Sequence, residues 1–327
     1  MFIARSPLRI SIGGGGTDLP SYYRIYGGYI ISGAINKYIY TSAIKPYEDG
    51  IILKYSDIEK VKDPSEIKHR IFREIIMMRD WEKPYSIELS TLADIPAGTG
   101  LGSSGAFTVS ALKAIQVFNG EYNSNHSIAK LACQIEIDRL NEPIGKQDQY
   151  ASAIGGICEF IFHKDDSVEI NRLPISENNL NIFKESLALF YTGYRRRASK
   201  VLENQNKKTL LLDKEMIKNL DAVKEMGKIS KDLLLRGDIN QYGLIMKDHW
   251  DQKLKRSSDM CPNDVKNFID IGLRNGAIGG KLVGAGGGGF LLFVTNNKTQ
   301  LREAMSKLKL KELSFDFDNL GVHVVET

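Results

Sequence analysis

The chain has 327 residues, 42% apolar and 26% charged, the profile of a soluble globular protein long enough for two packed cores. Its 44 basic and 40 acidic residues leave a net charge of +4, too small and too dispersed to point to nucleic acid or a membrane surface, though suited to an anionic substrate. The cysteines at 133, 158 and 261 lack metal-like spacing, and neither a signal-peptide layout nor an apolar run of about 18 residues is present, so neither a disulfide framework nor a membrane span is expected and a cytoplasmic location is.

The chain opens on a predicted strand over 8–12, which breaks at Gly13, Gly14, Gly15 and Gly16 before Thr17 and Asp18. Four successive glycines cannot sit inside a strand or helix without heavy entropic cost. They read either as a flexible loop or as bare backbone laid against a ligand, with Asp18 projecting from its end. Strands are predicted over 29–31, 35–44 and 51–55, with a turn at Asp49-Gly50. Asp63-Pro64-Ser65 predicts a helix start, with Ile67, Ile71, Ile75 and Met78 on one stripe.

Residues 85–91 alternate apolar and polar as a half-buried strand does, and Phe107, Ala111, Leu112, Ile115 and Phe118 recur at helical spacing up to Asn119-Gly120. Between them lies Pro-Ala-Gly-Thr-Gly-Leu-Gly-Ser-Ser-Gly-Ala, residues 96–106. Glycines let backbone approach a bulky anion, and the free amides of the first helical turn point at it, so this stretch reads as a phosphate cradle. A second helix is predicted from Ser124 to about Leu140, with Ile128, Leu131 and Ile135 as its core stripe. Glu136 shares the neighbouring stripe with Ala129, Cys133 and Leu140, either as an incompletely solvated carboxylate or as an edge glutamate. Asp148, just past the turn at 141–145, is either a cleft-facing carboxylate or a turn aspartate, and residues 155–162 return to strand.

The polar stretch between 164 and 180 marks a domain boundary, giving units of 1–170 and 171–327. A strand over 187–191 leads to Arg195, Arg196 and Arg197, an anion site or a solvated basic turn. Helices follow, with Leu220, Val223, Leu233 and Leu234, then Leu244, Ile245 and Trp250, then Val265, Phe268, Ile269 and Leu273 in their stripes. His249 beside Trp250 reads as packing. The glycine run over 279–289 has apolar flanks, which places it inside the domain rather than in a linker. A strand over 290–294, a helix from about 299 and a last strand over 322–325 are predicted to complete the second unit, with no tandem repeat.

Two common phosphate motifs fail. The Walker loop needs Gly-Lys-Ser/Thr, which neither glycine run supplies. The dinucleotide fingerprint is matched superficially at Gly100/Gly102/Gly105 and at Gly284/Gly286/Gly289, but without the βαβ setting it requires. Pro96-x-x-x-Gly100-Leu101-Gly102-Ser103-Ser104, in contrast, resembles the central signature of the GHMP kinases. Ser6-Pro7-Leu8-Arg9 with Thr17-Asp18 resembles the family's first motif, and the run from Gly280 to Gly289 its third.

The resemblance implies an α+β, two-lobed fold, with a left-handed βαβ unit in the N-terminal domain and a ferredoxin-like C-terminal domain. It implies that Pro96, Gly98, Gly100, Leu101, Gly102, Ser103, Ser104 and Gly105 bind ATP, and that Ser104 and Glu136 hold Mg²⁺. Asp148 would receive the acceptor proton and Arg9 would balance charge beside it. Gly14, Gly15, Gly16, Thr17, Asp18, Arg196, Lys281, Gly286 and Gly287 would meet the acceptor, with Lys281 equally readable as structural. Galactokinases carry Gly-Glu-His-Thr-Asp where this chain has Gly14-Gly15-Gly16-Thr17-Asp18, which makes galactose a poor fit and leaves room for a longer sugar phosphate. The implied activity is phosphorylation of the anomeric hydroxyl of a heptose 7-phosphate, feeding nucleotide-activated heptose for surface polysaccharide. The alternatives are a sugar 1-kinase acting on fucose or a related hexose, and a non-catalytic sugar or nucleotide sensor. Expected partners are the sugar phosphate and ATP, with no nucleic acid or membrane, and homo-oligomerisation left open.

Overall fold

The computed structural model describes residues 1–79, 81, 83–194, 199–257 and 261–325, the side chains of 199–201 excepted. The first half runs β1 (Phe2–Gly13), α1 (Pro20–Tyr26), β2 (Gly28–Ile44), β3 (Gly50–Lys54), β4 (Ile58–Val61), α2 (Arg70–Met77), β5 (Ser86–Ala93), α3 (Ser103–Phe118), α4 (Asn125–Cys133), α5 (Gln147–Ile154), β6 (Ile157–Phe162) and β7 (Val168–Arg172). The second runs α6 (Glu177–Ser186), β8 (Leu187–Tyr191), α7 (Ser199–Leu210), α8 (Lys214–Arg236), α9 (Ile239–Leu254), α10 (Asn263–Arg274), β9 (Ala277–Leu282), β10 (Phe290–Thr295), α11 (Lys298–Lys307), β11 (Lys311–Glu312) and β12 (His323–Val325).

The two strands expected over 29–31 and 35–44 are one, β2, which organises the eight-stranded sheet: six strands run in the order β12-β1-β2-β5-β3-β4, and β6 with β7 branches off β2. Its first half pairs with β6, its second half with β5, and β1 runs antiparallel along its other side. The first eight residues of β2 are buried on both faces, whereas burial alternates residue by residue from Ile39 to Ile44, as expected where only one face is covered. β3 and β5 are parallel, joined through β4 and α2. The second sheet has the order β11-β8-β10-β9, antiparallel throughout. Numbered along the chain, that is fourth-first-third-second, the ferredoxin-like arrangement.

Two local expectations differ. Asp63 accepts from the Ser65 amide at 2.9 Å, but this caps only a short 3₁₀ turn; Ile67 is extended, and α2 begins after His69. The last strand joins the first sheet instead of the second, pairing Ile3 with Val325 and so satisfying the open edge of β1.

One core lies between the first sheet and α2, α3 and α4. A second core is shared by both halves: Leu8, Ile10 and Ile31 pack in one cluster with Leu189, Tyr242 and Leu292. It fixes the two sheets relative to each other across the cleft. Contact between α9 and β9 is closest at Gly243 and Gly279, where a Cβ on Gly279 would stand 1.9 Å from the Gly243 carbonyl oxygen. Gly279→Ala should therefore cost about 1–3 kcal/mol of stability, since no rotamer relieves a clash between a Cβ and backbone. Denaturant unfolding checks this; an unchanged midpoint would mean that α9 can slide on β9.

Candidate active site

Between the halves lies a cavity of about 900 Å³, near the top of the ordinary range for ligand pockets. Its first wall is the loop from β5 to α3. Gly102, the residue preceding α3, is left-handed with φ 80°, and no side chain caps the helix. The first-turn amides are therefore left for an anion, at the positive end of the helix dipole. Gly98, Gly100, Gly102, Ser103, Ser104 and Gly105 line the cavity. Pro96 and Leu101 do not: Pro96 is exposed beyond the rim, and Leu101 is fully buried in the shared core, where it anchors the loop. The third glycine segment closes directly on this loop. A Cβ on Gly100 would stand 2.5 Å from the Val283 oxygen, and one on Gly284 2.5 Å from the Gly100 oxygen.

Arg9, buried on β1, joins the loop to α5. Its Nη1 donates to the Gly100 oxygen at 2.6 Å, Nε to Asp148 Oδ1 at 2.8 Å, and Nη2 lies 2.6 Å from the same Oδ1. Asp148 sits in the first turn of α5, one-third exposed to the cavity, and its ion pair uses Oδ1 alone. Glu136 lies in a π-helical turn, Gln134–Arg139, which follows α4; such turns recur at functional sites. Ser104 Oγ donates to Glu136 Oε2 at 2.6 Å and Gln149 Nε2 to Oε1 at 3.0 Å. Burial pushes the Glu136 carboxyl above its ordinary range, and the Ser104 and Gln149 bonds only partly offset that. Asp18, also buried, accepts from the Gln147 amide at 3.0 Å and is likewise raised by burial.

The turn over 13–16 lies opposite. Gly15, Gly16 and Asp18 line the cavity, while Gly14 and Thr17 sit behind it, with the Thr17 hydroxyl 2.9 Å from both the Gly14 and Tyr29 oxygens. Lys281 Nζ donates to the Ile12 oxygen at 3.0 Å. Gly286 lines the cavity and Gly287 does not. Arg195, Arg196 and Arg197 lie outside the described residues.

The sequence reading missed Gln147, Gln149, Gln205, Lys253 and Arg256, and took His249 for packing. His249 does pack, but its Nε2 also accepts from the Gly14 amide at 3.1 Å and its ring lines the cavity. With Lys253 and Arg256 it forms an i, i+4, i+7 stripe on α9 and the segment beyond it, a visible pattern that reads equally well as a solvated helix face. Burial lowers all four basic groups: His249 and Lys253 fall well below their ordinary values, Arg256 to about 10 and Lys281 to about 7, with the neighbouring cations adding to three of these shifts.

Residues 69–156 match the GHMP kinases N terminal domain and residues 230–312 the GHMP kinases C terminal domain. The chain is 31% identical to D-glycero-alpha-D-manno-heptose 7-phosphate kinase of Campylobacter jejuni, over 97% of each chain. It is 26% identical to L-fucokinase/L-fucose-1-P guanylyltransferase of Bacteroides fragilis, over 90% of this chain and 34% of that protein. A solved structure described as a D-glycero-D-manno-heptose 1-phosphate kinase from Bacteroides thetaiotaomicron superposes with a TM-score of 0.82 at 26% identity, covering 100% of this chain and 99% of that one.

Lys281 makes the site's electrostatics measurable. Its folded value of about 7 lies below the ordinary 10.5, so the folded state binds fewer protons between those limits. Its unfavourable contribution is full below about pH 7 and fades as pH rises towards 10.5. In anion-free buffer, the stability of wild type relative to Lys281→Met should rise between about pH 7 and about pH 9.5. Parallel unfolding curves across that range would show that Lys281 titrates normally.

Proposed function

The chain belongs to the GHMP kinase family and is a phosphotransferase acting on a sugar hydroxyl, and on that premise we propose that it transfers the γ-phosphoryl group of ATP to the anomeric hydroxyl of a D-glycero-D-manno-heptose 7-phosphate. The products are the 1,7-bisphosphate and ADP. The observation that carries the reaction chemistry is the arginine–aspartate pair: Arg9 holds Asp148 through Oδ1 beside an uncapped helix N-terminus, leaving Oδ2 for the acceptor.

In this reading the first-turn amides of α3 and the loop from Gly98 to Gly105 hold the triphosphate. Asp148 Oδ2 accepts the proton of the anomeric hydroxyl as that oxygen bonds to phosphorus and the bond to the ADP oxygen breaks. Arg9 keeps the carboxylate in register with the cradle, because the same guanidinium is tied to the Gly100 carbonyl. Asp18 accepts from a sugar hydroxyl and orients the ring. Proton transfer and positioning are the chain's contribution, as phosphoryl transfer requires.

Glu136 and Ser104 fit a magnesium ion. Their oxygens are hard donors held 2.6 Å apart, and Glu136 is a buried carboxylate with no ion-pair partner among the described residues. Among the described residues no group of three or more acidic, His or Cys side chains could hold a metal, so phosphate and water oxygens would supply the other ligands, the usual habit of Mg²⁺. Bound there, the ion would neutralise charge on the phosphate oxygens.

Similarity along nearly the whole chain to a protein named for a heptose 7-phosphate supports that acceptor, and so does a bare 13–16 turn beside buried cations. The weaker similarity to a fucokinase supports a hexose 1-kinase as the second reading. ADP release across a sugar panel separates them: the heptose 7-phosphate should exceed dephosphorylated heptose, fucose and galactose in kcat/KM by about a hundredfold or more, as loss of a charge-assisted contact implies. Equal turnover of an unphosphorylated hexose would reject the first reading. Asp148→Asn should lower kcat by roughly 10²–10⁴ while ATP affinity changes little; if turnover survived, another carboxylate would be the base.

A further inference from the structure

Arg256 and Lys281 are buried around the 13–16 turn and Lys253 beside the backbone oxygens of Leu282 and Gly284, at 4%, 3% and 8% exposure, and among the described residues none of them has a carboxylate in ion-pair contact. Their hydrogen bonds leave donors over. Arg256 sends Nη1 to the Gly15 oxygen and Nε to Asn219 Oδ1, both at 2.9 Å, while its Nη2 is buried without a partner among the described residues. His249 Nε2 accepts from the Gly14 amide, so the neutral ring carries its proton on Nδ1, and Nδ1 is also buried and unpartnered. Ser11 Oγ is in the same state. Lys281 makes one bond, to the Ile12 oxygen. All five residues line the cavity between the halves.

Holding the turn does not require this charge. Gln205 secures the Gly16 oxygen at 2.9 Å with a neutral amide, and neutral donors would serve Ile12 and Gly15 equally well. Asp18 attracts Arg256 at a distance, but none of these cations has a carboxylate in ion-pair contact among the described residues, and buried like charges so placed are unfavourable, so this arrangement calls for an anion from outside the chain. The ligand must accept from a guanidinium, an imidazole N–H, an ammonium and a hydroxyl arriving from β1, β9, α9 and the segment after it. A tetrahedral phosphate monoester has enough oxygens in enough directions.

Its place on the turn says which phosphate. The cluster grips the backbone just ahead of Asp18, whereas the triphosphate cradle is the N-terminus of α3 on the other wall, beside Asp148. Lys253, bonded to the Leu282 and Gly284 oxygens, stands where the glycine segment meets that cradle. We infer that Arg256, His249, Lys281 and Ser11 form the subsite for the distal phosphate of the acceptor sugar. This inference rests on the reading of the acceptor as a sugar phosphate, and it gives the main phosphate contact to Arg256 instead of Arg196.

The test is the ratio of kcat/KM for D-glycero-D-manno-heptose 7-phosphate to that for the dephosphorylated heptose. In wild type the ratio should be high. In Arg256→Met it should fall roughly 10-fold to 100-fold, mainly through the KM of the sugar phosphate, with the KM for ATP changing little. A merely structural role would move both KM values or lower kcat for both sugars. Should Arg256→Met fail to fold, Lys281→Met and His249→Gln carry the test, since each side chain makes one backbone bond. A wild type without preference for the phosphorylated sugar would sink the acceptor reading. A wild-type preference that persists in folded variants would sink the subsite alone.

Discussion

One buried guanidinium sets the geometry on which the site depends. From a single position on β1, Arg9 reaches the cradle twice, through its amide to the Leu101 oxygen and its Nη1 to the Gly100 oxygen, and reaches α5 through Asp148. A charge at 5% exposure is tolerable only when its donors are used, and these bonds use them. The loop before α3 and the Asp148 carboxylate therefore cannot shift independently. A lysine would supply the charge without the rigid planar fork, and the spacing between the two would be lost.

The glycine segments extend this coupling to the second half. Gly100 and Gly284 meet backbone to backbone, so the wall contributed by β9 and β10 reaches the cradle with no side chain between them. The same directness holds where α9 rests on β9. Because the core around Leu8, Ile10, Leu189 and Leu292 is common to both sheets, the position of α9 follows from packing that lies well behind the cavity. Catalytic and acceptor-facing groups thus share one frame, although the chain divides into two sheets.

Much of this was legible in the sequence where local physics dominates. The glycine loop leading into α3, the helix start after Ser124, the stop at Asn119-Gly120 and the strands β5, β6, β8 and β10 follow from periodicity and turn chemistry within a few residues. The convergence of Arg9, Ser104, Glu136 and Asp148 came from family resemblance, since nothing in their spacing brings them together. What stayed hidden depends on long-range contact. The break before α2 arises because Ile67 turns into the core in extended form, and β12 finds its partner more than 300 residues away. His249 reads as packing and Lys253 as a polar residue of α9 until the Gly14 amide meets the first and the Leu282 and Gly284 oxygens meet the second.

The direction of the electrostatic shifts completes the account. Burial raises the carboxyls of Glu136 and Asp18 and lowers Lys281, Lys253 and Arg256 within one cleft. Asp18 lies near Arg256 without forming an ion pair, whereas Glu136 is kept apart from the cations by construction. Glu136 is bound by Ser104 and Gln149 at the α3 end, while the cations are bound by the carbonyls of Ile12, Gly15, Leu282 and Gly284 at the other. Each end is left wanting a partner of the opposite sign, and perturbation of this kind, concentrated in one cavity, marks a functional site more often than a structural one. A nucleotide phosphate with its cation suits the first end and an anionic group of the acceptor suits the second. In the proposed reaction the reacting hydroxyl then lies between them, at the oxygen of Asp148 that Arg9 leaves open.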